Sequence, residues 1–151
     1  MIYLGIDCGT QSLKVLAWRP DTGECVSCSS AYDLIPGLPP GHKEQHPRVW
    51  TGALEDCLAE LRRNGVGLEE VRGIGVSGQQ NGLVVLDRND EGIRPAKLWN
   101  DTSTIPQCLA IQERAGGESR YRSEIGNSLP PGFTASKILW LKDNEPSSYQ
   151  R

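Results

Sequence analysis

Hydrophobic and polar positions alternate from the second residue onward. Ile2, Leu4 and Ile6 fall on one face of an extended segment, and Leu13, Val15 and Ala17 share a face of the next, which is the two-residue period of half-buried strands. The polar run Cys8-Gly9-Thr10-Gln11 joins them. Pro20-Asp21-Thr22-Gly23 is turn chemistry, so Glu24 to Tyr32 is expected as a third strand that completes an antiparallel meander. Ile35 to Gln45, rich in proline and glycine, reads as an exposed loop.

The period then changes to that of a helix. Trp50, Leu54, Cys57, Leu58 and Leu61 recur at helical spacing, Pro47 suits a first turn whose N–H groups are unpaired anyway, and Asn64-Gly65 supplies the stop. Val71 to Ser77 reads as a strand, followed by the polar turn Gly78-Gln79-Gln80-Asn81-Gly82 and a second extended run from Leu83 to Leu86. Pro95 to Asn100 is expected as a short strand. Thr104 and Gln107 have capping-box spacing ahead of a helix over Ile105 to Ala115, closed by Gly116-Gly117. Tyr121 to Gly126 reads either as a short helix or as irregular chain. A last helix starts at Thr134 or Ser136, passes through Ile138, Leu139 and Leu141, and ends near Asn144 before Pro146. The pattern as a whole is an α/β fold: a mixed sheet opening with a three-strand meander, with helices packed on it.

Composition narrows the function classes. A chain of 151 residues, 37% hydrophobic, holds enough apolar material for one globular domain with its own core. A formal charge of -3 with no basic cluster argues against a nucleic-acid face. No apolar run approaches the ~20 residues of a membrane span, and no basic segment followed by a hydrophobic stretch opens the chain, so no membrane is involved and the cytoplasm is the expected location. Five cysteines, an odd number spread along the chain, fit reduced thiols better than a disulfide framework. Cys25 and Cys28 form a C-x-x-C, but an offset of three in a strand sends them to opposite faces, and His42 and His46 are too isolated to add ligands.

Two stretches carry candidate chemistry. In the first hairpin, Gly9 lets backbone amides approach a ligand closely, Thr10 and Ser12 add hydroxyls, Asp7 ends the buried strand as a carboxylate, and Lys14 is a nearby cation. That set suits phosphate oxygens and a hydrated magnesium ion, although strand, polar turn, strand also describes an ordinary hairpin. The second stretch comprises polar groups following strands: Gln80 and Asn81, then Trp99 and Asp101. They could supply the donors, acceptors and aromatic face a polyol needs, or equally be turn glutamines, a core tryptophan and a capping aspartate. Gly73, Gly75 and Gly78 match G-x-G-x-x-G, but that fingerprint requires a helix immediately after, and the pattern here supplies more extended chain, which rejects a nicotinamide site.

The string GIDCGTQSLKVLAW resembles the amino-terminal signature of the FGGY carbohydrate kinases, members of the actin-like ATPase superfamily. SGQQNGLVVLD, PAKLWNDTST and GNSLPPGFTASKILWLKDNEP resemble later segments of the same family, most closely its xylulokinase branch, in the family's order. GHKEQHPRVW resembles the passage into the first helix, with Thr51 where a second tryptophan is common. The resemblance implies a ribonuclease H-like domain in which Gly9, Thr10, Gln11, Ser12 and Lys14 face the phosphates of ATP. It implies further that Asp7 faces Mg2+ through water, that Gln80 and Asn81 face the sugar, and that Trp99 and Asp101 belong to the sugar wall.

The implied reaction is ATP-dependent phosphorylation of D-xylulose to D-xylulose 5-phosphate, with a homodimer as an allowed assembly. Asn81 stands where xylulokinases carry histidine, and Thr102 and Ser103 where arginine is common, which leaves another pentulose or a polyol open as the substrate. Family members also carry an adenosine-binding second domain and a catalytic aspartate that no residue here matches. Residues 1–151 are therefore expected to be an amino-terminal kinase domain, inactive alone. The reading from another class is a non-catalytic sugar- or nucleotide-binding module.

Overall fold

A computed structural model describes residues 1–151, which divide into two compact units: Met1–Leu34 with Pro47–Gln79, and Ile35–His46 with Gln80–Arg151. In the first unit, strands β1 (Ile2–Cys8), β2 (Ser12–Trp18), β3 (Cys25–Ala31) and β5 (Val71–Gly78) form a sheet in the order β3-β2-β1-β5. The first three make the expected antiparallel meander, and β5 adds parallel to β1. Alternation does what it predicts: Ile2, Leu4, Leu13, Val15 and Ala17 are buried on one face together with Cys28 of β3, while Cys25 is exposed. All five cysteines are free thiols.

Helix α1 (Arg48–Arg63) covers that face with Ala53, Cys57 and Leu61. Pro47 occupies the cap position itself rather than the first helical one. The helix ends in a paired closure: Gly65, at φ 82°, donates its N–H to the Arg62 carbonyl, and Val66 donates to the Leu61 carbonyl, both at 3.0 Å. Val66 and Leu61 are thereby brought together in the core. Leu61 is fully buried, so truncating it to alanine removes packing worth about 2–5 kcal/mol.

Asp7 on β1 pairs across the sheet with Lys14 on β2 and with Ser77 on β5. Strand β5 is the last in its sheet, and Ile74 and Val76 are 61% and 71% exposed. After Gly78 the chain turns through Gln79–Asn81 and no helix begins, so the arrangement a dinucleotide fold requires does not form.

The second unit is built on the short pair β4 (Glu44–Gln45) and β6 (Ala96–Lys97), with helices α2 (Ile105–Arg114), α3 (Glu118–Ile125), α4 (Thr134–Asn144) and α5 (Pro146–Tyr149). Leu83, Ala96, Leu98, Cys108, Leu129 and Leu141 are its buried apolar residues. This unit departs from the pattern expected of its sequence. Leu83 to Leu86 is not a strand: only its ends bridge, Leu83 to Lys97 and Leu86 to Gly92, while Val84 and Leu86 are exposed. Pro95 to Asn100 contributes only two paired residues, and Gln45, expected in a loop, pairs with Ala96. The Thr104–Gln107 capping box does not form either. The Thr104 hydroxyl instead bonds the Pro131 carbonyl and the Ser136 hydroxyl, both at 2.9 Å, and Gln107 donates to Asp143. Tertiary partners outbid the local motif.

Candidate functional site

The hairpin between β1 and β2 closes on a short bond from the Gly9 N–H to the Ser12 carbonyl, 3.0 Å. A Cβ at position 9 would approach that same oxygen to 3.2 Å, so the turn favours glycine. Its carbonyl is held from the other side by the Tyr32 hydroxyl at 2.7 Å and by Gln79 Nε2 at 3.4 Å. Thr10 Oγ1 bonds Gln79 Oε1 at 3.2 Å, and the Gln11 carbonyl accepts from the Tyr32 N–H at 3.0 Å. Burial, together with the Cys8 thiol 3.6 Å away, pushes the Tyr32 phenol well above its ordinary pKa, so it stays a donor to Gly9 at all physiological pH. Tyr32 and Gln79 brace the turn, and neither was singled out as a turn support in the sequence. The only available signal was that Tyr32 closes the extended run from Glu24 and Gln79 follows the one from Val71.

Asp7 and Lys14 lie on the solvent face of the sheet. With Gly5, Leu16, Gly75 and Ser77 they line an open hollow of about 610 Å³. Asp7, Gly9, Thr10, Gln11, Ser12 and Lys14 are therefore gathered at one end of one sheet. The result is an accessible carboxylate, an accessible ammonium and a rigid glycine turn. Such a set can accept hydrogen bonds from a hydrated cation and donate them to an anion.

In the second unit, Gln80 and Asn81 are exposed, and Asn81 holds φ 61°, a left-handed conformation that asparagine tolerates better than most residues. Trp99 is half exposed. Asp101 differs from all of these, being completely buried. Its Oδ1 accepts from the Ser103 N–H at 3.0 Å and the Ser103 hydroxyl at 2.6 Å, and its Oδ2 accepts from the Lys43 N–H at 2.9 Å and Lys97 Nζ at 3.0 Å. Burial raises its pKa, but the Ser103 hydroxyl, the Lys43 amide and Lys97 outweigh that and hold the carboxyl below its usual range.

Asp101 belongs to a charged cluster that the sequence did not reveal. Lys97 Nζ also bonds Glu44 at 3.0 Å, Arg94 bonds Glu44 at 2.8 Å and Glu145 at 3.1 Å, and the Lys97 ammonium lies 4.0 Å from the centre of the Trp140 ring. His42, Glu44 and Asp101 bring ligand atoms within 4.8 Å of one another, a spacing suited to a metal ion. Lys97 Nζ, within 3.4 Å of all three, supplies the cation there. Helix α4 adds a buried Lys137 whose ammonium bonds only main-chain carbonyls among the contacts that define it, those of Asn81 and Gly132.

The FGGY family of carbohydrate kinases, N-terminal domain, matches residues 2–151. A xylulose kinase from Lactococcus lactis is 41% identical over 150 residues, covering 98% of this chain and 29% of that protein. A crystal structure of a xyloylose kinase from Brucella ovis superimposes with a TM-score of 0.88 at 32% identity, over 100% of this chain and 31% of the other. A xylulose kinase structure from Bifidobacterium adolescentis gives 0.82 at 31% identity, covering 99% and 31%. The chain thus spans about three-tenths of the length of the proteins it matches, and its fold is that of the sugar kinases of the actin-like ATPase class.

Proposed function

The chain belongs to the FGGY family of carbohydrate kinases, and from that premise we propose that its parent enzyme transfers the γ-phosphoryl group of ATP to a hydroxyl of a small sugar. D-xylulose, giving D-xylulose 5-phosphate, is the substrate favoured by relatives that are xylulose kinases at 31–41% identity. The observation that carries the reading is the exposed Asp7, flanked by Lys14 and Ser77 beside the braced Gly9 turn.

In this reading Gly9, Thr10, Gln11 and Ser12 face the phosphate oxygens, the Ser12 hydroxyl donating to them while the Gly9 N–H and the Thr10 hydroxyl hold the turn together through Ser12 and Gln79, and Lys14 balances the charge. Asp7 accepts hydrogen bonds from water on Mg2+, a role its exposed carboxylate fits. Magnesium supplies neutralisation of the charge that develops on the phosphoryl oxygens. Gln80 and Asn81 hydrogen-bond the sugar, and Trp99 offers it a half-exposed ring. Asp101, with its oxygens engaged, contributes by fixing the segment that carries Trp99.

Nothing in residues 1–151 plays the base that takes the sugar hydroxyl's proton, and this role is assigned to an aspartate elsewhere in the parent enzyme. Residues 1–151 then form its amino-terminal domain and are inactive by themselves. A cytoplasmic location is part of the proposal; no helix is long and apolar enough to cross a membrane.

An ADP-release assay on the complete enzyme with a panel of pentuloses and polyols tests this. The expected result is the highest kcat/KM with D-xylulose. The exposed Asn81 amide favours one second reading, a different pentulose or polyol, which the same panel identifies. No ADP release with any member would overturn the kinase reading and leave a sugar- or nucleotide-binding module.

A further inference from the structure

Lys137 is an unusual residue for its position. It lies on α4, is fully buried, and sends its ammonium to two carbonyl oxygens, that of Asn81 at 2.6 Å and that of Gly132. No carboxylate takes part in these bonds. Burying an ammonium without a bonded counter-ion costs stability, and a methionine of similar length would fill the space without that cost. What methionine could not supply is two directed hydrogen bonds to the main chain.

Those two carbonyls belong to the segments proposed above to meet the sugar. Asn81 holds a left-handed backbone with its side chain in solvent. A left-handed residue in a turn is a local strain of about 1–2 kcal/mol, and it persists where surrounding bonds fix it. Gly132 lies directly against the Trp99 carbonyl, where any Cβ would collide. The Ser136 hydroxyl, one residue before Lys137, bonds the carbonyls of Phe133 and Pro131, so the 131–133 loop is pinned to the start of α4 from several sides.

We infer that Lys137 is a positioning residue for sugar recognition: its ammonium ties the Asn81 carbonyl to the Gly132 carbonyl, and through the close packing of Gly132 on Trp99 it sets the spacing between the turn bearing Gln80 and Asn81 and the tryptophan. This inference rests on the sugar-kinase reading above. It makes Lys137 a determinant of how well sugar fits, acting through Asn81, without contact to the phosphates.

The test is steady-state kinetics of the complete enzyme with Lys137→Met. The sugar KM is expected to rise about tenfold, the loss associated with one charged hydrogen-bond anchor, while kcat and the KM for ATP hold within about twofold. A role confined to stability would lower the yield of folded enzyme and leave both KM values alone, and that result overturns the inference. Should Lys137→Met fail to fold, hydrogen exchange on the unmodified enzyme decides: added sugar is expected to protect residues 80–82 and 132–133 together, and protection of 80–82 alone overturns the link. If the unmodified enzyme phosphorylates no sugar, the kinase reading fails and takes this inference with it. If it phosphorylates sugar and the sugar KM ignores Lys137→Met, only the inference fails.

Discussion

Lys97 Nζ and Asp101 Oδ2 lie 3.0 Å apart with both side chains completely buried. A buried pair of this kind is worth little against an apolar replacement of both members, but breaking it strands a charge in the interior. Asp101→Asn leaves Lys97 paired with Glu44, which already shares its charge with Arg94. We expect Asp101→Asn to destabilise the protein by about 3–5 kcal/mol, read from urea unfolding midpoints. A change under about 1 kcal/mol would mean that Glu44 alone suffices for Lys97.

Lys137 gives stability a pH dependence of definite sign. Burial, offset in part by Asp101 and Cys108 and reinforced by Lys97, lowers its pKa from 10.5 to about 8. Below pH 8 the side chain is charged whether folded or unfolded, and the fold bears the whole cost of burying it. Between about 8 and 10.5 the folded protein gives up the proton while the unfolded chain keeps it, so stability climbs with pH through that window and falls again as pH drops. The gain is about 3 kcal/mol. Urea midpoints at pH 7.5 and 10 should show the climb in the unmodified protein and lose this component in Lys137→Met.

Asp7 is exposed and paired only as a cross-strand neighbour of Lys14 and Ser77. Its removal should therefore cost the fold within about 0.5 kcal/mol. In the complete enzyme Asp7→Ala is expected to lower kcat about a hundredfold or more, measured by ADP release, with the thermal midpoint nearly unmoved. Full activity in a folded variant would remove Asp7 from the metal-facing role.

Asn81 occupies a left-handed turn position that histidine also tolerates. Histidine is the residue that the xylulokinase resemblance places there. Asn81→His is expected to raise kcat/KM for D-xylulose relative to other pentuloses by about tenfold, scored in competition assays. An unchanged ratio would show that position 81 does not choose the sugar.

The first unit was largely legible in the sequence because its burial is periodic: Ile2, Leu4, Leu13, Val15 and Ala17 are buried at alternate positions and Ala53, Cys57 and Leu61 at helical spacing, and glycines stand where the chain must turn. The hairpin residues were legible for the same reason, being local. The second unit was not, because its defining contacts join distant residues. Glu44 meets Lys97 across 53 positions and Asn81 meets Lys137 across 56, and no short window reports such pairs. Helix α4 also inverts the usual pattern, burying Ser136 and Lys137 while leaving Ile138 44% exposed. Thr104 misled for a related reason: its hydroxyl had a better partner at Pro131 than in its own first turn.

The bare flank of β5 has a practical consequence. Eight residues of glycine-rich extended chain end the sheet there, with Ile74 and Val76 uncovered. An outermost strand of that kind is a template on which other chains can stack. Preparations of residues 1–151 in isolation should accordingly self-associate as concentration rises, and Val76→Lys should suppress the light scattering that reports it.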